Sequence, residues 1–164
     1  MFADVYKGKK VFITGHTGFK GSWLSLWLLS LGAIVKGYAL APYTKNDHFT
    51  VTNLKKDLIS TTNDIRNYDK LKEEIINFQP DYIFHLAAQP LVRDSYLDPI
   101  NTYGTNIMGT VNILNIAREL NNLKALINIT TDKCYENIEK NQDIKKPNPW
   151  EDMTLIAQVK AVQS

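Results

Sequence analysis

The stretch Thr14-Gly15-His16-Thr17-Gly18-Phe19-Lys20-Gly21 is the most informative part of the sequence, because it sets glycines at intervals of three between two unlike patterns. Before it, Lys9–Thr14 is a short run rich in β-branched and aromatic residues, which predicts a buried strand. After it, apolar residues recur at helical spacing from Phe19 to Leu31, and Gly32 follows where a helix commonly ends. The sequence therefore predicts a strand, a tight glycine turn and a helix in immediate succession.

The same alternation of strand and helix continues along the chain. The connections are short, which predicts parallel strands joined by right-handed crossovers. We therefore predict an α/β fold, a doubly wound parallel sheet of the Rossmann type, whose ligands bind at the carboxyl ends of the strands. The further predicted strands are Ala33–Leu40, Leu58–Ile59, Asp81–Ala88 and Lys124–Thr130, and the further predicted helices are Tyr68–Phe78 and Pro99–Leu120.

The composition is that of one globular domain. The chain has 164 residues, of which 44% are hydrophobic, enough for one sizeable core. Its 19 Lys and Arg residues nearly balance 17 Asp and Glu residues, so nucleic acid is not an expected partner. The single cysteine, Cys134, and the polar start of the sequence predict a cytoplasmic protein. The most apolar stretch, Trp23–Leu31, is shorter than a membrane span.

The glycine stretch also predicts a ligand. After a strand and before a helix, the first glycine permits a tight turn, the second lets a pyrophosphate approach the backbone, and the third permits close packing of the helix. The unpaired N–H groups at the helix N-terminus attract the anion. We therefore predict dinucleotide binding, with Gly15, Thr17, Gly18, Phe19 and Gly21 as cofactor-binding residues.

Further motifs extend this prediction to a family. The G-x-x-G-x-x-G spacing resembles that of the extended short-chain dehydrogenase/reductase family that acts on nucleotide sugars. The resemblance implies that Asp64-Ile65 holds the adenine and that Leu86-Ala87-Ala88 lies beside the cofactor. It also implies a place in the cofactor site for Asn106, which begins the family's Asn-x-x-Gly-Thr motif.

Longer segments narrow the resemblance. Gly37–Pro42, His85–Arg93 and Thr131–Asn137 are similar to the CDP-glucose 4,6-dehydratases of that family. This similarity implies a lyase reaction in which hydride passes from sugar C4 to bound NAD, water leaves across C5 and C6, and hydride returns to C6. The implied product is a 4-keto-6-deoxy sugar nucleotide.

The resemblance also implies catalytic roles for three consecutive residues. Thr131 would hydrogen-bond the C4 hydroxyl, and Asp132 would protonate the departing C6 hydroxyl. Lys133 stands where related dehydratases carry a glutamate base, and it would assist removal of the C5 proton. No metal site is predicted.

NAD is the expected cofactor, and NADP is the open alternative. Folds of this type that select NAD usually carry an acid at the end of the second strand, where it binds the ribose hydroxyls. Here Tyr38–Pro42 contains no acid. The resembling dehydratases share this absence and use NAD, so the resemblance favours NAD.

The family carries a Tyr-x-x-x-Lys pair, whose tyrosine acts as the base at C4, on the helix after the last predicted strand. No such pair follows Thr130 in this sequence, where Tyr135 has Glu139 four residues on. We therefore interpret residues 1–137 as an incomplete dinucleotide-binding domain, truncated before the catalytic helix and the substrate domain, and residues 138–164 as a non-family tail. Codons for the tail, read two bases out of frame, permit Tyr and Lys at the family's spacing. This predicts a frameshift near residues 137–142 and a poorly ordered tail, which resequencing of the coding DNA would test.

The predicted function is the amino-terminal NAD-binding part of a nucleotide-sugar dehydratase, inactive as this chain. The alternatives are another nucleotide-sugar epimerase or dehydratase, and a non-catalytic remnant that only binds the dinucleotide. The resemblance implies a homodimer for the parent enzyme, built partly from the catalytic helix, so we expect this chain to dimerise poorly.

The remaining predictions concern single residues. We predict that four side chains are packed, those of Trp23, Trp27, His85 and Cys134. Arg93 is assigned equally to a phosphate contact or to the surface.

Overall fold

The computed structural model describes residues 4–131, which divide into two compact units. Of the described residues, the first unit contains 4–87 and 111–129, and the second contains 88–110 and 130–131. The predictions for Asp132, Lys133 and Cys134, and for the tail from residue 138, lie outside the described residues.

A parallel sheet forms the centre of the first unit and confirms the predicted fold class. Its strands run in the order β3-β2-β1-β4-β5, so β1 has a parallel partner on each side. Thr14 at the end of β1 is paired with Tyr38 of β2 and with His85 of β4. The strands are β1 Lys10–Thr14, β2 Ile34–Ala39, β3 Ile59–Thr62, β4 Tyr82–His85 and β5 Ala125–Asn128.

Helices connect the strands in residues 4–131, and two short α-helices among them were not predicted. The helices are α1 Phe19–Ser30, α2 His48–Val51, α3 Tyr68–Phe78, α4 Val92–Leu97, α5 Pro99–Tyr103 and α6 Gly109–Ala117. The predicted helix Pro99–Leu120 contains a π-helical turn, Gly104–Met108, and its regular part ends at Ala117. The sequence did not predict α2 and α4, because four and six residues are too few to show a period. In residues 4–131, no helix is both long and apolar enough to cross a membrane.

The core lies on both faces of the sheet, as a parallel sheet requires. Phe12 of β1 is buried against Leu71 and Ile75 of α3. Its neighbours in the strand, Val11 and Ile13, are buried in a second cluster. Successive side chains of a strand point to opposite faces, so the middle of β1, Val11 to Ile13, is apolar without interruption.

The prediction that Trp23 and Trp27 are core residues is wrong. Both side chains are about half exposed, at 51% and 50%. The buried positions of α1 are Gly21, Ser22, Ser25 and Leu28. Small residues occupy the first turns of the inner face because the helix begins directly against the glycine turn, and the bulky aromatic residues therefore lie outside.

Candidate functional site

The glycine turn, Gly15 to Gly18, begins at the carboxyl end of β1, in the middle of the sheet. Gly15 donates its N–H to the carbonyl of Tyr38 at 2.9 Å, which fastens the turn to β2. Gly18 donates to the carbonyl of Gly15 at 3.1 Å and closes the turn. The turn therefore stands at the edge of the sheet where doubly wound folds bind their ligands.

Gly15 is required by its backbone conformation and by its surroundings. Its φ of +75° lies in the left-handed region that favours glycine. A Cβ at this position would also lie 2.8 Å from the backbone nitrogen of Ala87 and 2.9 Å from the carbonyl carbon of Leu86. The tight turn predicted here is present, and the chain that follows β4 passes directly against it.

Gly21 and Gly18 differ in how much space surrounds them. A Cβ at Gly21 would lie 2.1 Å from the carbonyl oxygen of Gly15, so only glycine lets α1 begin this close to the turn. A Cβ at Gly18 would meet nothing nearer than 3.4 Å, and Gly18 is exposed. The structure thus leaves the backbone open at the second glycine, where a pyrophosphate is expected to approach.

The start of α1 suits an anion. Gly18 is the N-cap and supplies no side-chain cap, and the first turn contains no acidic residue. The first N–H groups of a helix have no partner within the helix, and the helix dipole makes this end positive. Lys20, which is exposed, adds a positive charge in the same turn. These features fit the phosphate groups of a dinucleotide.

The hydroxyl of Thr14 connects the end of β1 to the start of the loop after β4. It accepts the backbone N–H groups of Leu86 and Ala87, each at 3.1 Å, and it lies 2.6 Å from Nδ1 of His85. Thr14 and His85 are both buried, which confirms the packed position predicted for the histidine. Thr14 was not predicted as a site residue, and its only sequence signal is a hydroxyl at the last position of a strand.

The end of β2 contacts the glycine turn but brings no carboxylate to it. Thr17 donates its hydroxyl to the carbonyl of Leu40 at 2.9 Å. The first acid after β2 is Asp47, whose carboxylate accepts the backbone N–H and the hydroxyl of Thr44 at 3.0 and 2.6 Å. The side chain of Phe19 is 75% exposed. The glycine turn and the end of β2 are thus joined by a hydroxyl and a backbone carbonyl, with no carboxylate between them.

The predicted adenine pair, Asp64-Ile65, follows β3 and is held on several sides. Arg66 binds the Asp64 carboxylate through its backbone N–H and its guanidinium, and this hydrogen bonding lowers the pKa of Asp64. The hydroxyl of Tyr38 donates to the Asp64 carbonyl at 3.1 Å, and the amide of Asn112 donates to the Ile65 carbonyl at 3.1 Å. The pair is thus fixed at the same edge of the sheet as the glycine turn.

In the second unit, Asn106 holds the backbone of Gln89, a residue that was not predicted to belong to the site. The Oδ1 atom of Asn106 accepts the N–H of Gln89 at 2.8 Å, and its Nδ2 donates to the Gln89 carbonyl at 3.1 Å. The Gln89 side chain in turn binds both backbone groups of Leu91 and the hydroxyl of Thr102. Asn106 lies in the π-helical turn and fixes the segment that begins at Ala88.

Of the predicted catalytic residues, the structure describes Thr131 alone, and this residue is half-buried. In residues 4–131, no three His, Cys, Asp or Glu side chains form a group that could hold a metal ion. Arg93 is exposed in the first turn of α4.

Comparison with known proteins agrees with the fold and with the motifs. CDP-glucose 4,6-dehydratase of Salmonella typhimurium is 55% identical over 136 residues, which are 83% of this chain and 38% of that enzyme. The structure of UDP-glucose 4-epimerase from Thermus thermophilus, a complex with NAD, superposes with a TM-score of 0.79 and 25% identity. The matched part is 93% of this chain and 48% of the epimerase.

A second epimerase structure shows the same fold at lower identity. UDP-glucose-4-epimerase from Stenotrophomonas maltophila, with bound NAD and formylated UDP-arabinopyranose, gives a TM-score of 0.80 and 20% identity over 94% of this chain and 46% of that chain. This chain therefore spans less than half the length of each of the three proteins. The family model described as GDP-mannose 4,6 dehydratase matches residues 12–154. Because that match takes in most of the sequence, the chain belongs to the GDP-mannose 4,6 dehydratase family.

Proposed function

We propose that this chain is the NAD-binding part of a CDP-glucose 4,6-dehydratase, which converts CDP-glucose to CDP-4-keto-6-deoxyglucose and water. The observation that carries the proposal is the 55% identity with the Salmonella typhimurium enzyme. The open N-terminus of α1 above the glycine turn supports the cofactor part of the proposal, since it suits a pyrophosphate. A nucleotide-sugar substrate and a cytoplasmic location belong to the same proposal.

The residues at the carboxyl edge of the sheet fit NAD. When bound, NAD would supply the acceptor and later the donor of the hydride. The backbone from Gly15 to Gly21 would hold the pyrophosphate, and Asp64-Ile65 would hold the adenine. Leu86 and Ala87, fixed by the Thr14 hydroxyl, would lie beside the cofactor.

The proposed chemistry on the sugar falls to three consecutive residues. Thr131 would hydrogen-bond the C4 hydroxyl and orient it. Asp132 would donate a proton to the C6 hydroxyl so that it leaves as water, and Lys133 would assist removal of the C5 proton. Such an acid must hold its proton and such a lysine must lose one before the step, and burial beside a bound sugar favours both.

A chimera tests the proposed function. Residues 1–137 of this chain, joined to the part of the Salmonella typhimurium enzyme that follows its matching segment, should convert CDP-glucose to CDP-4-keto-6-deoxyglucose. We expect the 164-residue chain alone to show no turnover, because it spans 38% of that enzyme. The unaltered Salmonella enzyme is the positive control. A chimera that binds NAD without converting CDP-glucose would contradict the proposed reaction.

A second candidate function is epimerisation of a nucleotide sugar. The observation that favours it is the fold shared with UDP-glucose 4-epimerase at 25% identity. The Asp132-Lys133 pair argues against it, because an epimerase removes no water and needs no acid at C6. The same chimera separates the two reactions by its product from CDP-glucose. A dehydratase forms CDP-4-keto-6-deoxyglucose and water, whereas an epimerase would only invert a hydroxyl of the sugar.

A further inference from the structure

His16, the second residue of the glycine turn, has no role in the proposed function so far, yet its side chain is fully buried. Its ring packs edge-on against Phe49 of α2, with ring centres 5.1 Å apart and planes at 86°. Its Nε2 lies 2.8 Å from the hydroxyl of Ser60 in β3. One residue of the turn is thus inserted between the sheet and α2.

The imidazole of His16 lies in a slot between the sheet and α2, and Gly37 of β2 forms the floor of this slot. A Cβ at Gly37 would lie 2.2, 2.4 and 2.5 Å from Cγ, Cδ2 and Nδ1 of His16. The imidazole therefore occupies the space that any other side chain at position 37 would need. Gly37 pairs with Ile13 of β1, one residue before the end of that strand, so the slot is directly beside the turn.

The ring is held by shape more than by polar contacts. Within the described part of the chain, its Nδ1 is buried and forms no hydrogen bond of good geometry. Burial lowers the pKa of His16 from 6.5 to about 4, an effect that the backbone of Tyr38 partly opposes, so the imidazole is neutral at neutral pH. An unpaired buried nitrogen costs stability that an apolar residue would not. Core packing alone would favour an apolar residue here, so the histidine is better explained by the shape of the turn that it supports.

We propose that His16 is a positioning residue, which, seated on Gly37 and bonded to Ser60, holds the glycine turn in the shape that receives the pyrophosphate. The inference rests on the proposed binding of NAD. The ring braces the turn at its second residue, while Gly15 and Thr17 fasten it on either side to the backbone carbonyls of Tyr38 and Leu40. Pre-organised N–H groups lose less entropy on binding an anion than those of a mobile loop.

The test is a double-mutant cycle in the 164-residue chain, with NAD binding measured by titration calorimetry. His16→Ala removes the ring, and Gly37→Ala forces the ring out of its slot. Each should raise the Kd for NAD about tenfold, and the double variant should also lose about tenfold rather than hundredfold, because both changes break one contact. Ser60→Ala should weaken binding less, and Ser30→Ala, at the exposed end of α1, is the matched control.

Two further measurements separate positioning from general destabilisation. Adenosine lacks the pyrophosphate, so its affinity should be the same for the unaltered chain and for every variant. Thermal unfolding shows whether each variant is folded. If His16→Ala is unfolded, Ser60→Ala still tests the same contact. If the unaltered chain binds no NAD, the proposed function fails and this inference fails with it. If the unaltered chain binds and the two single variants bind as tightly, or their losses add, the inference alone is overturned.

Discussion

Gly21→Ala should abolish measurable NAD binding by the 164-residue chain. The new methyl group would lie 2.1 Å from the carbonyl oxygen of Gly15 and 2.9 Å from Cα of His16, both backbone atoms. Neither atom can move without opening the turn, so α1 must shift away from β1. The N–H groups at the start of α1 then no longer converge on one anion. Overpacking of this kind typically costs about 1–3 kcal/mol of stability. Titration calorimetry and thermal unfolding measure the two effects.

Gly18→Ala is the informative comparison, because this variant should separate binding from folding. Its methyl group would meet the protein no closer than 3.4 Å, at the Gly15 carbonyl oxygen, and the φ of −73° suits alanine. We therefore expect unchanged thermal stability and a Kd for NAD raised about tenfold, since even a small added group keeps a pyrophosphate from the backbone. Equal NAD affinity in Gly18→Ala, Gly21→Ala and the unaltered chain would show that the turn is not the binding site.

Asp132→Asn in the chimera with the Salmonella typhimurium enzyme should lower kcat for CDP-glucose by about a hundredfold or more. A positioned general acid contributes roughly 10²–10⁴ to the rate, and an amide of the same shape has no acidic proton to give to the C6 hydroxyl. Lys133→Met should also lower kcat, because the thioether cannot take up the C5 proton. The KM for CDP-glucose and the Kd for NAD should change little in both variants.

An exposed acid provides the control for this pair. Asp69→Asn, in the first turn of α3, removes one negative charge at a position that the proposal does not use. We expect its kcat to equal that of the unaltered chimera. A kcat for Asp132→Asn as high as that of Asp69→Asn would contradict the role proposed for Asp132.

The glycine turn could be predicted from the sequence because its requirements are local. A left-handed residue at the end of a strand and a missing side chain at the start of a helix leave a spacing that can be seen in eight consecutive letters. The slot around His16 could not be predicted in this way. It depends on Gly37 and Ser60, which are brought beside the turn only by the strand order β3-β2-β1.

The wrong prediction for Trp23 and Trp27 has a related cause. Helical spacing correctly predicts α1, but both faces of this helix carry apolar residues, so the pattern does not indicate which face is buried. The close approach at Gly21 decides the question, because it admits only small residues at the start of the inner face, where Gly21, Ser22 and Ser25 are buried. The π-helical turn that holds Asn106 has no period of its own in the sequence and was missed for that reason. The roles of Asp132 and Lys133, and the origin of the tail, stay predictions.

The proposed binding of NAD depends on one contact, in which the backbone from Gly15 to Gly21 receives the pyrophosphate at the carboxyl end of β1. Titration of the isotopically labelled 164-residue chain with NAD, followed by nuclear magnetic resonance of the backbone amides, observes that contact itself. We expect the amides of Gly18, Phe19 and Lys20 to shift most, and the same titration to leave the Gly21→Ala variant unchanged. Absence of any shift in the unaltered chain, or shifts centred away from the carboxyl edge of the sheet, would contradict the proposed site.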